Sequence, residues 1–231
     1  MSDKSLTGVE KVYVYQVPVR LWHWINMFAI IVLSVTGYFI GNPLPTLSGE
    51  ASDHYLMGWI RFWHFAAAYI FTIGLLGRIY WAFVGNHFSK EMFFIPVWKL
   101  SWWLGFIEEV KWYLFLKKEP GKHEGHSPTG QFAMFVMFFL VSVMMILTGF
   151  AMYAEALGLG SWADVYILSW VLPLFGDANT ATLHAWHAMG MWIIIVFVVI
   201  HVYLAVREDV MSRQTMISSM ISGWRYFKDK R

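Results

Sequence analysis

The sequence predicts an all-α integral membrane protein, a four-transmembrane-helix bundle accompanied by interfacial amphipathic helices. Three observations carry that prediction. Of 231 residues, 58% are hydrophobic and only 14% charged, against about 25% charged in an ordinary soluble domain. Four stretches are apolar over the roughly 20 residues that a helix needs to cross a bilayer core. The basic residues collect on one side of those stretches. The length suits a single membrane domain, 1–231.

The first span, 21–40, holds no formal charge and ends at the run Gly41-Asn42-Pro43-Leu44-Pro45. The second, 62–84, is interrupted only by Arg78, and the third, 132–154, is uncharged. The fourth, 184–206, is uncharged up to Arg207. Val165 to Leu172, between Asp164 and Pro173, is too short to span and reads as a re-entrant or surface-lying helix. Met92 to Leu116 contains Pro96, Lys99, Glu108, Glu109 and Lys111, which are costly in a bilayer core. Its tryptophans (Trp98, Trp102, Trp103, Trp112) suit an amphipathic helix in the headgroup layer.

Orientation follows from lysine and arginine. The N-terminal arm carries Lys4, Lys11 and Arg20, and the loop 85–131 carries Lys90, Lys99, Lys111, Lys117, Lys118 and Lys122. The tail carries Arg207, Arg213, Arg225, Lys228, Lys230 and Arg231. Loops 41–61 and 155–183 hold only Arg61, beside Glu50, Asp53, Glu155, Asp164 and Asp177. Both termini and loop 85–131 are therefore expected in the cytoplasm, with the other two loops periplasmic. The N-terminus, polar and mixed in charge, has no cleavable signal-peptide pattern.

The chain has no cysteine. That excludes disulfides, thiolate zinc sites, cysteine-ligated iron–sulfur clusters and covalent haem attachment through Cys-x-x-Cys-His. Its nine histidines are the main candidates for metal ligation. Four of them, His23, His64, His187 and His201, lie in or at the edge of apolar helices, where ionisable groups are costly and mark function. An interhelical hydrogen bond would explain any one alone. Together they obey a geometry. His187 and His201 are 14 residues apart on one helix, about 21 Å along its axis with a net turn of about −40°, so they share a face. The directions of the helices put His64 beside His187 at the outer level and His23 beside His201 at the cytoplasmic level. Two imidazoles per level suit a six-coordinate haem, which favours electron transfer over substrate activation. Zinc or copper would want three or four ligands. His54, His87, His123 and His126 read as solvated loop residues, and His184 breaks the 14-residue spacing.

Arg20 and Arg61 each precede a ligand candidate by three residues, one turn toward the surface, where a guanidinium could bind a haem propionate. Ordinary snorkelling explains them equally well. Arg78 lies 14 residues after His64 and is a candidate for a propionate or a quinone pocket. A weak repeat accompanies these residues: Thr36-Gly37-Tyr38 recurs as Thr148-Gly149-Phe150, and Trp63-His64 as Trp186-His187. Two similar helical hairpins, an old duplication, would account for it. Gly37 and Gly149 would let a porphyrin or a neighbouring helix approach closely.

The run Pro18-Val19-Arg20-Leu21-Trp22-His23-Trp24 with Thr36-Gly37-Tyr38-Phe39-Ile40-Gly41 resembles the b-type cytochrome subunit of membrane-bound nickel–iron hydrogenases. So do Arg78-Ile79-Tyr80-Trp81-Ala82, Leu147-Thr148-Gly149-Phe150-Ala151, and His184-Ala185-Trp186-His187 through His201-Val202-Tyr203. The resemblance runs from about Tyr13 to Trp224. It implies a bacterial inner-membrane anchor with two haems b ligated by His23, His64, His187 and His201. The implied partners are the hydrogenase small subunit and, through it, the large subunit, with membrane quinone as electron acceptor. No nucleic acid is expected, and the chain would carry at most the quinone-reduction site of the complex. The same pattern fits the cytochrome subunit of a periplasm-facing formate dehydrogenase, or a stand-alone cytochrome b oxidoreductase. A transporter or anchor without haem is the reading from another class, which a visible spectrum would separate.

Overall fold

In an apolar solvent the backbone must satisfy its own hydrogen bonds, so long apolar runs become helices. The computed structural model describes residues 3–4, 9–45, 54–118, 121, 123–176, 180–212 and 215–228. In chain order the elements are β1 (Asp3–Lys4), β2 (Val9–Tyr13), α1 (Val17–Gly41) and α2 (Leu56–Val84). A 3₁₀ turn (His87–Lys90) leads to α3 (Leu100–Tyr113) and α4 (Pro128–Ala133). A π-helical segment (Met134–Leu140) joins α4 to α5 (Val141–Leu157), and a second (Asp164–Leu168) opens α6 (Ser169–Leu174). The chain ends in α7 (Ala181–Ser212), α8 (Met216–Ser222) and β3 (Trp224–Lys228). Glu50, Asp53, Lys122, Asp177, Arg213, Lys230 and Arg231, counted above in the charge bias, lie outside the described residues.

Four helices are long and apolar enough to cross a membrane: Val17–Gly41, Leu56–Val84, Pro128–Leu157 and Ala181–Met211. Their exposed faces are apolar; Phe28, Ile73 and Val199 are 63%, 67% and 65% exposed. Continuous apolar surface of this kind requires lipid as its solvent. The protein is an integral membrane protein.

Contacts divide the chain into two units. The first comprises Met1–Ile25, Gly74–Phe139 and Phe197–Arg231. Its core packs Val14, Tyr15, Val19 and Phe88 with Val12, Trp81 and Met220. Polar groups knit the core together: Gln16 Oε1 accepts from Trp81 Nε1 and from the Asn86 amide, both at 3.0 Å. Asn86 Nδ2 donates to the Val14 carbonyl at 2.9 Å. The amphipathic α3 buries Trp102, Glu109 and Trp112. Trp102 Nε1 donates to Gln131 Oε1, and Glu109 accepts the Thr129 amide at the start of α4, where Ser127 is the N-cap. The C-terminus of α3 is closed by Arg207 of α7, which donates to the Trp112 and Tyr113 carbonyls and lies over the Trp112 ring.

The helices of this unit are accompanied by a small sheet. The two chain ends form a small antiparallel sheet of order β1-β2-β3, with Val9 opposite Lys228 and Tyr13 opposite Trp224. Burial alternates along β3, as the two faces of a strand require: Arg225 and Phe227 are buried, while Trp224 is half-buried and Tyr226 exposed. Gly223, at φ +87°, turns the chain from α8 into β3; a Cβ there would stand 2.6 Å from the Tyr15 carbonyl oxygen.

The second unit comprises Asn26–Ile73 and Leu140–Val196. Its core gathers Ala151, Ala154, Ala163, Leu168, Val171 and Leu183, so the short α6 and its π-helical lead pack on α5. Small alanines on α5 permit that close packing. Asp164 accepts the Gly160 amide at 2.7 Å and closes the turn between them.

Candidate haem-binding sites

In the second unit, α2 supplies His64 and α7 supplies His187. Their ring centres are 6.4 Å apart with planes inclined 66°. Each imidazole is held by a threonine. Thr36 Oγ1 lies 2.9 Å from His64 Nδ1, and Thr148 Oγ1 lies 2.8 Å from His187 Nδ1. Each hydroxyl also donates along its own helix, Thr36 to the Val32 carbonyl at 2.6 Å and Thr148 to the Met144 carbonyl at 2.8 Å. A hydroxyl has one proton. With that proton given to the backbone, the oxygen must accept from the histidine, so Nδ1 carries the ring proton. Nε2 of both rings is then left with its lone pair, the state a metal ligand requires.

The glycine after each threonine makes room for the ring. A Cβ on Gly37 would stand 3.3 Å from His64 Cε1, and one on Gly149 would stand 3.2 Å from His187 Cε1. Thr-Gly is therefore a cradle: one residue orients the imidazole and the next clears its path.

In the first unit, His23 of α1 and His201 of α7 have ring centres 6.3 Å apart, with planes inclined 54°. Here aromatic packing orients the rings. His23 meets Trp24 edge-on at 5.2 Å. His201 stacks on Phe197, and Phe197 stacks on Phe138, which sits in the π-helical segment. His23 Nδ1 is buried with no hydrogen-bond partner among the described residues.

Both separations can be compared with what one metal ion would require. Two imidazole–metal bonds of about 2.0–2.1 Å in line, with about 1.1 Å from each nitrogen to its ring centre, put the centres about 6.3 Å apart. The observed 6.4 and 6.3 Å match that span for one ion, a separation that inclined aromatic rings in edge contact also adopt. Among the described residues no group of three or more His, Cys, Asp or Glu could hold a metal, which fits a flat macrocycle supplying the remaining ligands.

Residues 14–223 match the sequence family described as prokaryotic cytochrome b561. The chain belongs to this family. It is similar over nearly its whole length to the probable Ni/Fe-hydrogenase B-type cytochrome subunit of Azotobacter vinelandii, at 59% identity covering 99% of this chain and 98% of that one. The protein of the same description from Cupriavidus necator is 55% identical over 96% of this chain and 90% of its own. The probable Ni/Fe-hydrogenase 1 B-type cytochrome subunit of Escherichia coli K12 is 51% identical over 99% and 96%. For a cytochrome b561 the group to be held is haem b, and a pair of histidine imidazoles is a ligand set that fits it.

The three arginines singled out in the sequence fall in different settings. Arg20 donates from Nη1 to the Ile221 carbonyl, while its Nε is buried without a partner among the described residues. Arg61 is exposed. Arg78 is buried, donates to the Ser89 carbonyl at 2.9 Å, and lies over the Trp22 and Phe93 rings. His184 faces Glu155 at 3.2 Å rather than another histidine. His126 is not a solvated loop residue: it pairs with Glu91 at 2.9 Å and packs against Tyr15. Thr36, Thr148 and Phe197 were not singled out as site residues. The Thr-Gly repeat was the signal for the first two.

Proposed function

We propose that the chain is a dihaem cytochrome b that passes electrons from a periplasmic nickel–iron hydrogenase to membrane quinone. The observation that carries this reading is the pair of histidine–histidine separations, each sized for one metal ion. Haem b would be held by His64 and His187 in one site and by His23 and His201 in the other. Bound there with both axial positions filled, it would supply reversible one-electron chemistry with no open position for oxygen or substrate. Thr36 and Thr148 keep the proton on Nδ1 and the lone pair on Nε2. Arg20 and Arg61 stand one turn toward the surface from His23 and His64, where each can meet a propionate.

Relatives described as hydrogenase subunits support the choice of partner, with the small subunit as the electron donor and the large subunit behind it. The basic bias supports cytoplasmic termini in the bacterial inner membrane. On that orientation the His64/His187 site is the periplasmic one and receives electrons first.

The test is haem content and the reduced-minus-oxidised spectrum of wild type, His64→Ala and His201→Ala. Two b-type haems in wild type, with one lost in each variant, is the expected result. Hydrogen added to membranes that contain the partner enzyme should still reduce the haem left in His201→Ala. Absence of haem from the wild type, or its survival in both variants, would sink the paired-ligand reading.

A further inference from the structure

Within the first unit, α1 and α2 enclose a cavity of about 260 Å³ lined by Trp22, Ile25, Gly74, Gly77, Arg78 and Trp81, with Pro18 at its edge. Its shape follows from the sequence. Gly74 and Gly77 remove side chains from one face of α2, and Trp22 and Trp81 wall the space. A Cβ on Gly77 would meet nothing within 4 Å, so the space over this glycine is open. Ile25, at the mouth, is 52% exposed on the apolar outer face of α1.

The polar groups of this apolar cleft are donors. Trp22 Nε1 and Arg78 Nε are both buried and have no hydrogen-bond partner among the described residues. The indole edge of Trp22 faces the glycines, since a Cβ on Gly74 would stand 3.6 Å from its Nε1. Arg78 is only 4% exposed and is anchored by Nη1 to the Ser89 carbonyl at 2.9 Å. Buried N–H groups left unpaired are costly, more so on a charged group. Two of them in the walls of one cleft, reached by a small turn of the indole and of the guanidinium, suit a ligand that accepts and does not donate.

We infer that this cleft binds the ring of a lipid-soluble quinone, with a carbonyl oxygen accepting from Trp22 Nε1 and Arg78 Nε and the tail leaving past Ile25 into lipid. The inference rests on the reading of the chain as a quinone-reducing cytochrome and names the site of that reaction. A volume near the low end of ligand cavities, about 300–1,000 Å³, accommodates a headgroup rather than a whole prenylated molecule. A lipid acyl chain would leave both N–H groups unpaired. The ring takes two electrons, supplied by hydrogen oxidised at the partner, and two protons from the aqueous face, and leaves as the quinol. Arg78 and Trp22 polarise the carbonyl that gains charge.

The probe is tritiated decylubiquinone, measured by equilibrium binding to the purified full-length cytochrome against empty detergent micelles. Reoxidation of the dithionite-reduced protein by the same quinone is the second readout. Wild type should bind one ring per chain. Gly77→Leu places a side chain in the cleft from a position where a Cβ meets nothing within 4 Å, and Trp22→Phe removes one donor. Both should keep the wild-type haem spectrum while weakening quinone binding about tenfold or more, and slow reoxidation at low quinone in proportion. Wild-type binding by Gly77→Leu would overturn the assignment. So would an Arg78→Gln protein that loses haem yet binds quinone normally, since the guanidinium would then serve a propionate. Quinone binding is scored whether or not haem is present, so failure of the dihaem reading is seen separately in the spectrum.

Discussion

Replacing Thr148 by Val removes the hydroxyl that fixes His187 and leaves the side-chain volume almost unchanged. Thr148 is fully buried and its oxygen is 2.8 Å from His187 Nδ1. Losing it strands a buried ring N–H, which costs about 1–3 kcal/mol, and frees the imidazole to turn or to take the other tautomer, whose Nε2 cannot bind a metal. Partners of this kind are worth about 10–100-fold in metal affinity, and 1.4 kcal/mol is a factor of ten, so the two estimates agree. Haem titrated into the apoprotein should therefore bind the His64/His187 site about 10–100-fold more weakly in Thr148→Val, with the His23/His201 site unchanged. The haem that remains should have a higher midpoint potential, because an Nδ1–H bonded to oxygen makes the ligand more basic and favours ferric iron. Thr148→Ser should restore both. Unchanged affinity and potential in Thr148→Val would show that the hydroxyl serves only the helix backbone.

Three further outcomes follow from the same structure. Gly149→Ala places a Cβ 3.2 Å from His187 Cε1; the haem spectrum of that site should broaden or vanish, while Gly41→Ala, with nothing within 4 Å, should leave it intact. Burial raises the Tyr15 hydroxyl from the usual value of 10.0 to about 12, so the folded state holds that proton more tightly than the unfolded one. Its contribution is fully present below pH 10 and lost as pH rises toward 12, and thermal melts across that window should flatten in Tyr15→Phe. Arg225, 1% exposed, donates to the carbonyls of His123, Glu124 and Gly125; Arg225→Met should destabilise the first unit by about 3 kcal/mol, read as early proteolysis of the 123–127 loop.

The four spanning helices were legible because length and hydropathy report on lipid directly, without any knowledge of partners. The pairing of His64 with His187 and of His23 with His201 was legible because helix geometry fixes depth, and residues 14 apart share a face. Thr36 and Thr148 were visible as a repeat but not as ring partners, since their positions relative to His64 and His187 depend on how separate helices rotate. The role of His126 was hidden for a similar reason: Glu91 lies 35 residues earlier, and nothing local announces the pair. The sheet joins Val9 to Lys228, and pairing between the two ends of a chain leaves no periodic trace except alternation, which short charged strands share with ordinary surface loops.

That sheet has a consequence for biogenesis. β2 leaves the ribosome before α1 and β3 after α8, so their hydrogen bonds form only after every intervening helix has been threaded. If one span failed to insert, the two ends would lie in different aqueous compartments and could not meet. The three small strands thus act as a parity check on insertion: they close only on a chain that has crossed the bilayer an even number of times. A chain with one helix left out would keep Trp224 and Phe227 unsheltered and offer its loose ends to membrane proteases.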